Sequence, residues 1–232
     1  MRFERMKALR KVLGAVLAFS IALTLLALLL DAMGGSATLM QSLMKQHAPA
    51  SATGLAEDDY PAAATMIAGY LSGKVEDFQL SATVYGNATD TAFNIREQTH
   101  MADVRQLFVL ARSIALGGTL ICAVLLAACW LLRRPDGAAL RGFHGGLRIL
   151  LTLLAALLIW GLVDFDSLFV LFHHVAFSNE LWLLNPMTDL LIRLMPTEFF
   201  VHYAALVGGT WLGGLCLLEA VVPQGKGKKR RG

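Results

Sequence analysis

Charge is scarce in this chain. Only 16% of its 232 residues are Asp, Glu, Lys or Arg, while 56% are hydrophobic; a soluble domain carries about a quarter charged residues. Cysteine is sparse too. Cys122, Cys129 and Cys216 all fall inside apolar runs, so no loop pair is set for a structural disulfide, and the three read as small packing residues. Familiar catalytic signatures are missing as well: there is no Gly-x-Ser-x-Gly elbow, no phosphate-cradling glycine loop and no His-Glu-x-x-His pair, which removes the chemistries those motifs carry. The cysteine spacing offers no converging ligand set for a metal, and neither a metal nor a cofactor is expected.

What is present is apolar length. Four runs approach or exceed the ~18 residues that cross a bilayer: Val12–Leu30, Leu107–Leu132, Ile149–Val163 with flanks reaching Leu147 and Phe165, and Phe199–Val222. They predict a mainly α, polytopic membrane protein with four transmembrane helices in a single domain over 1–232. The first run follows Arg2, Arg5, Lys7, Arg10 and Lys11, as a signal peptide would. Its length and poor cleavage site predict a retained helix instead.

Cations set the expected orientation. The N-terminal five, then Arg133, Arg134, Arg141 and Arg148, then Lys226, Lys228, Lys229, Arg230 and Arg231 make up 14 of the 20 Lys and Arg. Both termini are therefore expected in the cytoplasm, and the connections 33–104 and 165–198 outside. The basic tail reads as a positive-inside signal rather than a nucleic-acid site.

The first connection is too long for a plain loop and predicts an extracytoplasmic α+β cap between helices 1 and 2. Leu39–Lys45 and Pro61–Leu71 have helical character, with Ala48–Tyr60 as loop between them. Phe78, Leu80, Ala82 and Val84 alternate as a strand does, Gly86–Asp90 supplies a turn, and Thr91–Ile95 is the expected return strand. The second transmembrane helix is expected to begin near Gln98, which puts His100 about 10 Å above Leu107. The second connection, with Phe165, Phe169, Phe172, Phe177 and Trp182, predicts an aromatic interfacial loop with a helical turn or two at Asp189–Leu194. In the last run, Gly209 and Gly213 form a small-xxx-small spacing for helix packing, extended by Gly208 and Gly214.

The candidate chemistry lies in His100, His173, His174 and His202, all expected at the outer surface. Imidazole takes and returns a proton near neutral pH. Glu97 and Asp103 flank His100 at i−3 and i+3, so either is placed to orient its ring and stabilise the imidazolium. Arg112, one face with Arg105, is read either as snorkelling to the interface or as holding a polar substrate group.

At these residues the chain resembles the integral-membrane family that includes the lipoprotein intramolecular transacylase (Lit). Glu97-Gln-Thr-His100-Met-Ala-Asp103-Val is similar to the family's first signature. Phe165-Asp-Ser-Leu-Phe169, Phe172-His173, Phe177, Trp182-Leu-Leu-Asn-Pro186-Met-Thr-Asp189 and Pro196-Thr-Glu198-Phe199-Phe200 resemble its second. The resemblance implies an enzyme of the bacterial cytoplasmic membrane acting at its outer face. It would move the sn-2 acyl chain of a diacylglyceryl lipoprotein to the α-amine of the N-terminal cysteine, leaving a lyso-form. The implied partners are the diacylated lipoprotein N-terminus and membrane lipid. The two family histidines fall on His100 and His173, with His174 an alternative by one position. Arg105 would steady a carbonyl or oxyanion, or pair with Asp103 or Asp189; Trp182 would belong to the aromatic enclosure. Two other readings stay open from the residues: another lipid-directed acyltransferase, and a non-enzymatic accessory or pH-sensing membrane protein. Mid-membrane ionisable residues and an inverted repeat, expected of a transporter, are not evident.

Overall fold

The computed structural model describes residues 2–131 and 137–225. In chain order the elements are α1 (Arg2–Gly34), α2 (Ala37–His47), α3 (Ala50–Thr53), a 3₁₀ turn (Glu57–Asp59), α4 (Tyr60–Ser72), β1 (Ala82–Val84), β2 (Asn87–Thr89), α5 (Ile95–Leu131), α6 (Gly137–Val163), α7 (Phe165–Ala176), α8 (Leu190–Leu194) and α9 (Thr197–Val221). Four of these helices, α1, α5, α6 and α9, are long and apolar enough to cross a membrane. The protein is thus mainly helical and multi-pass, with one small sheet. Arg133, Arg134 and the cations from Lys226 to Arg231, on which the expected orientation partly rests, lie outside the described residues, as does the side chain of Cys129.

The chain divides into two compact units, and the four long helices contribute to both. One unit draws its described residues from 1–28, 113–159 and 208–232. Its core is Ala18, Ala22, Phe143, Leu147, Leu154 and Leu215, from α1, α6 and α9. Apolar burial gives little drive between helices in lipid, so close backbone approach through small residues takes over. That approach lies between α1 and α6. A Cβ on Gly142 would overlap the Lys11 carbonyl, one on Gly14 the Ala139 carbonyl, and one on Gly146 would crowd Ala15 and Ala18. Gly209 and Gly213, the expected contact pair, face open space, whereas Gly208 meets Leu158 and Gly214 meets Leu25. Of the four glycines expected in the α9 packing stripe, the outer two make the contacts. Near the ends of α6 and α9, His144 Nδ1 lies 2.6 Å from Glu219 Oε2 and Arg148 Nε donates to Oε1 at 2.9 Å.

The other unit comprises Leu29–Arg112 and Trp160–Val207. Here α2 and α4 pack together over Met40, Leu43, Met44, Ile67 and Leu71. Ser36 caps α2 by accepting from Leu39 N at 3.3 Å, and α4 opens on Pro61, whose missing N–H costs nothing in a first turn. The stretch expected as plain loop holds α3 and the 3₁₀ turn. The hairpin is tighter than expected: Val84 pairs with Asn87 across the two-residue turn Tyr85–Gly86, both at positive φ (50° and 77°). Such a turn matches strand twist, so the return strand is Asn87–Thr89 and Thr91–Ile95 is not a strand. Arg112 neither snorkels nor stands free for substrate. It donates to Asp31 Oδ1 at 2.8 Å and Leu71 O at 3.0 Å, tying α5 to the end of α1 and of α4.

Candidate active site

The site is built outward from the first turn of α5. Asn94 precedes the helix and its Oδ1 accepts from Arg96 N (2.9 Å) and Glu97 N (3.2 Å), while Glu97 Oε2 reaches back to Asn94 N at 2.7 Å. This reciprocal capping starts the helix at Ile95 rather than near Gln98. The other Glu97 oxygen accepts from Leu191 N at 2.6 Å, satisfying an orphan amide in the first turn of α8 from 94 residues away. Asn94 Nδ2 in turn donates to Asp189 Oδ1 at 2.8 Å, and Asp189 also accepts from Asn185 N (2.7 Å) and Thr188 Oγ1 (2.8 Å). Burial opposes the Asp189 carboxylate, but the Asn185 amide, Thr188 hydroxyl and Asn94 amide outweigh it and hold the group below its ordinary value. Glu97 is only 1% exposed and Asp189 4%. Two signatures distant in sequence are thus one polar network.

One turn after Glu97 on α5, His100 faces His173 of α7, with ring centroids 6.2 Å apart and planes 31° from parallel. The segment from Phe165 was expected as interfacial loop; instead it is a helix, because Asp164 caps it by accepting from Ser167 N at 3.0 Å. Helical spacing then puts Phe165, Phe169 and His173 on one face. His173 is enclosed by Phe169, Phe172, Phe177 and Trp182, with centroids 4.1, 5.3, 5.6 and 4.7 Å away. Phe177 also meets His100 edge-on at 5.2 Å.

His173 Nδ1 lies 2.7 Å from Phe169 O. A carbonyl only accepts, so Nδ1 carries the hydrogen and the neutral ring keeps its lone pair on Nε2. Burial pushes the His173 pKa below the ordinary 6.5; the Phe169 carbonyl opposes this and neighbouring His174 adds to it. His100 is also buried, and its Nδ1 has no hydrogen-bond partner among the described residues.

The other expected residues separate clearly. His174 is exposed, its ring edge-on to Trp182 at 5.3 Å, so the buried ring facing His100 is His173. Glu97 does not orient His100; both its oxygens hold backbone amides. Asp103 accepts from Asn179 Nδ2 at 2.9 Å instead of bonding the His100 ring. Arg105 pairs with neither Asp103 nor Asp189: it donates to Glu76 O at 3.1 Å and lies 4.7 Å over the Tyr70 ring. His202 lies outside the aromatic enclosure, against His47 at 4.2 Å between centroids. Among the described residues, no three His, Cys, Asp or Glu side chains are grouped to hold a metal ion. Sequence reasoning overlooked Asn179, whose only signal is its place between Phe177 and Trp182, and gave no role to Asn94, a cap visible in Asn94-x-x-Glu97.

The family model for the lipoprotein intramolecular transacylase Lit matches residues 15–200. No curated protein matches. Among solved structures, the in meso structure of the membrane-integral lipoprotein intramolecular transacylase Lit from Bacillus cereus is similar with TM-score 0.74 and 20% identity, covering 94% of each chain. Two variants of that protein, with one histidine replaced by arginine or by alanine, each give TM-score 0.72 at 20% identity; the alignments cover 95% of this chain and 93% and 95% of theirs. At that identity the likeness establishes the fold.

Two measurements follow from the geometry. Glu97→Ala leaves the buried amide of Leu191 unpaired and removes the cap on Asn94 N, and is expected to cost about 2–4 kcal/mol. Glu97→Gln retains one carbonyl oxygen and costs less. Unfolding of the purified protein in lipid checks this; an Ala variant as stable as the parent would refute it. NMR titration of the His173 ring should give a midpoint below 6.5, and a midpoint above that value would contradict the enclosure described.

Proposed function

The chain belongs to the lipoprotein intramolecular transacylase family, and from that premise we propose that His100 and His173 are its catalytic pair. The reaction moves the sn-2 acyl chain of a diacylglyceryl lipoprotein to the α-amine of its N-terminal cysteine. The observation that carries the assignment is the approach of two buried imidazoles, 6.2 Å apart, within an aromatic wall. That gap allows a reacting carbon to lie within about 3–3.5 Å of both rings, the separation of a near-attack geometry.

An α-ammonium group has a pKa of about 8 and cannot attack until it loses a proton. His173 receives it at Nε2, the nitrogen left with a lone pair by the Phe169 carbonyl. The amine nitrogen then bonds to the ester carbonyl carbon, and the carbonyl oxygen takes the negative charge. As the intermediate collapses, the bond from carbon to the glyceryl sn-2 oxygen breaks. That oxygen receives a proton through His100, and His173 is free again once the second amine proton has passed through the pair. One N–C bond forms and one C–O bond breaks; of the two protons that leave the ammonium nitrogen, one ends on the sn-2 oxygen and the other is released to solvent. Amine and ester belong to one molecule, so holding them together replaces a bimolecular encounter. Phe169, Phe172, Phe177 and Trp182 exclude water that would otherwise hydrolyse the ester.

Glu97 and Asp189 act by position, fixing the first turn of α5 against α8. The connections 33–104 and 165–198 form the cap and the aromatic interfacial segment, on the extracytoplasmic face, with both termini in the cytoplasm; the weight of Lys and Arg on the opposite flanks supports this orientation.

The test is expression in cells that accumulate diacylated lipoproteins, followed by mass spectrometry of the N-terminal peptide. The parent chain should give an isobaric product with a blocked α-amine. His100→Ala and His173→Ala should each lower conversion by at least about 100-fold, and His174→Ala should retain it. Parent-level conversion by His173→Ala, with the protein in the membrane, would overturn the assignment.

A further inference from the structure

We propose that Asp103, held by Asn179, binds the α-ammonium group of the substrate before transfer. The inference rests on the reading of His100 and His173 as the catalytic pair, and adds the recognition element that pair lacks. Asp103 lies three residues after His100 on α5, so both side chains leave the same helix face. It is half-buried, and its Oδ2 accepts from Asn179 Nδ2 at 2.9 Å. Asn179 Oδ1 is occupied by Leu181 N at 3.0 Å, which fixes the amide so that its NH₂ faces the carboxylate. The carboxylate is therefore oriented by the same loop that supplies Phe177 and Trp182.

Among the described residues no Lys, Arg or His forms an ion pair with Asp103. The neighbouring cations are turned to backbone carbonyls, Arg96 to Glu180 O at 2.5 Å and Arg105 to Glu76 O at 3.1 Å. An ammonium entering an aromatic enclosure loses its hydration and requires a counter-charge; Asp103 supplies one beside His100. The proton that leaves the ammonium passes to His173 and not to Asp103. Acylation turns the ammonium into a neutral amide, so the ion pair exists with substrate and not with product. Asp103 thereby favours binding of the diacyl form and does not retain the lyso-form.

The experiment uses the full chain in lipid nanodiscs and two lipopeptides whose sn-2 chain is ether-linked and cannot transfer. One bears a free α-amine and the other has hydrogen in its place. The parent should bind the amine form at least about tenfold more tightly. Asp103→Asn, which keeps the size of the side chain, should remove the preference, and Asp103→Glu should restore part of it. With the ester-linked lipopeptide, Asp103→Asn should raise KM more than it lowers kcat. An undiminished preference in Asp103→Asn would overturn the proposal. Absence of transfer by the parent on the ester substrate would instead overturn the catalytic reading beneath it.

Discussion

A buried carboxylate is costly unless its oxygens are hydrogen-bonded, and the site depends on how Glu97 meets that condition. One oxygen closes the cap of α5 and the other takes the Leu191 amide at the start of α8. Leaving the buried Leu191 amide without an acceptor would cost about 1–3 kcal/mol. Once α5 and α8 are joined, Asn94 reaches Asp189, and Asp189 gathers Asn185 and Thr188. His100 follows one turn later on the same rigid helix. Precision in a catalytic group comes from such support rather than from the group itself.

His173 reaches the same place by a different route. Asp164 caps α7, and helical periodicity sets His173 on the face of Phe169 while His174 turns out. The bond from His173 Nδ1 to Phe169 O stays within one helical turn. The His173 ring is thus oriented by local geometry, and the polar network fixes what it faces. Aromatic rings line the remaining space around the two imidazoles.

The four long helices were legible because apolar length is a one-dimensional property, and so were the α4 start at Pro61 and the helical character of 190–194. The meeting of the two histidine-bearing segments was legible through their signatures, and Trp182 lies beside His173 there. Glu97, Asp103 and Arg105 were misread for one shared reason. Each side chain has a plausible partner nearby in sequence but bonds to a group far away: Leu191 N, Asn179 and Glu76 O. A backbone amide 94 residues distant leaves no mark in side-chain spacing. The helix α7 was obscured by its aromatic content, which suits an interfacial loop equally well, and the hairpin turn by Tyr85, a residue uncommon at positive φ.

The central claim is that the His173 imidazole serves as the base for intramolecular acyl transfer. Its most direct measurement is chemical rescue of His173→Gly, whose vacated aromatic enclosure can admit free imidazole. Transfer of the sn-2 chain in a purified diacyl lipopeptide should fall by at least about 100-fold in the variant. It should then rise with added imidazole in proportion to the neutral form. Parent-rate transfer by His173→Gly without imidazole, or rescue that follows imidazolium instead of the free base, would contradict the claim.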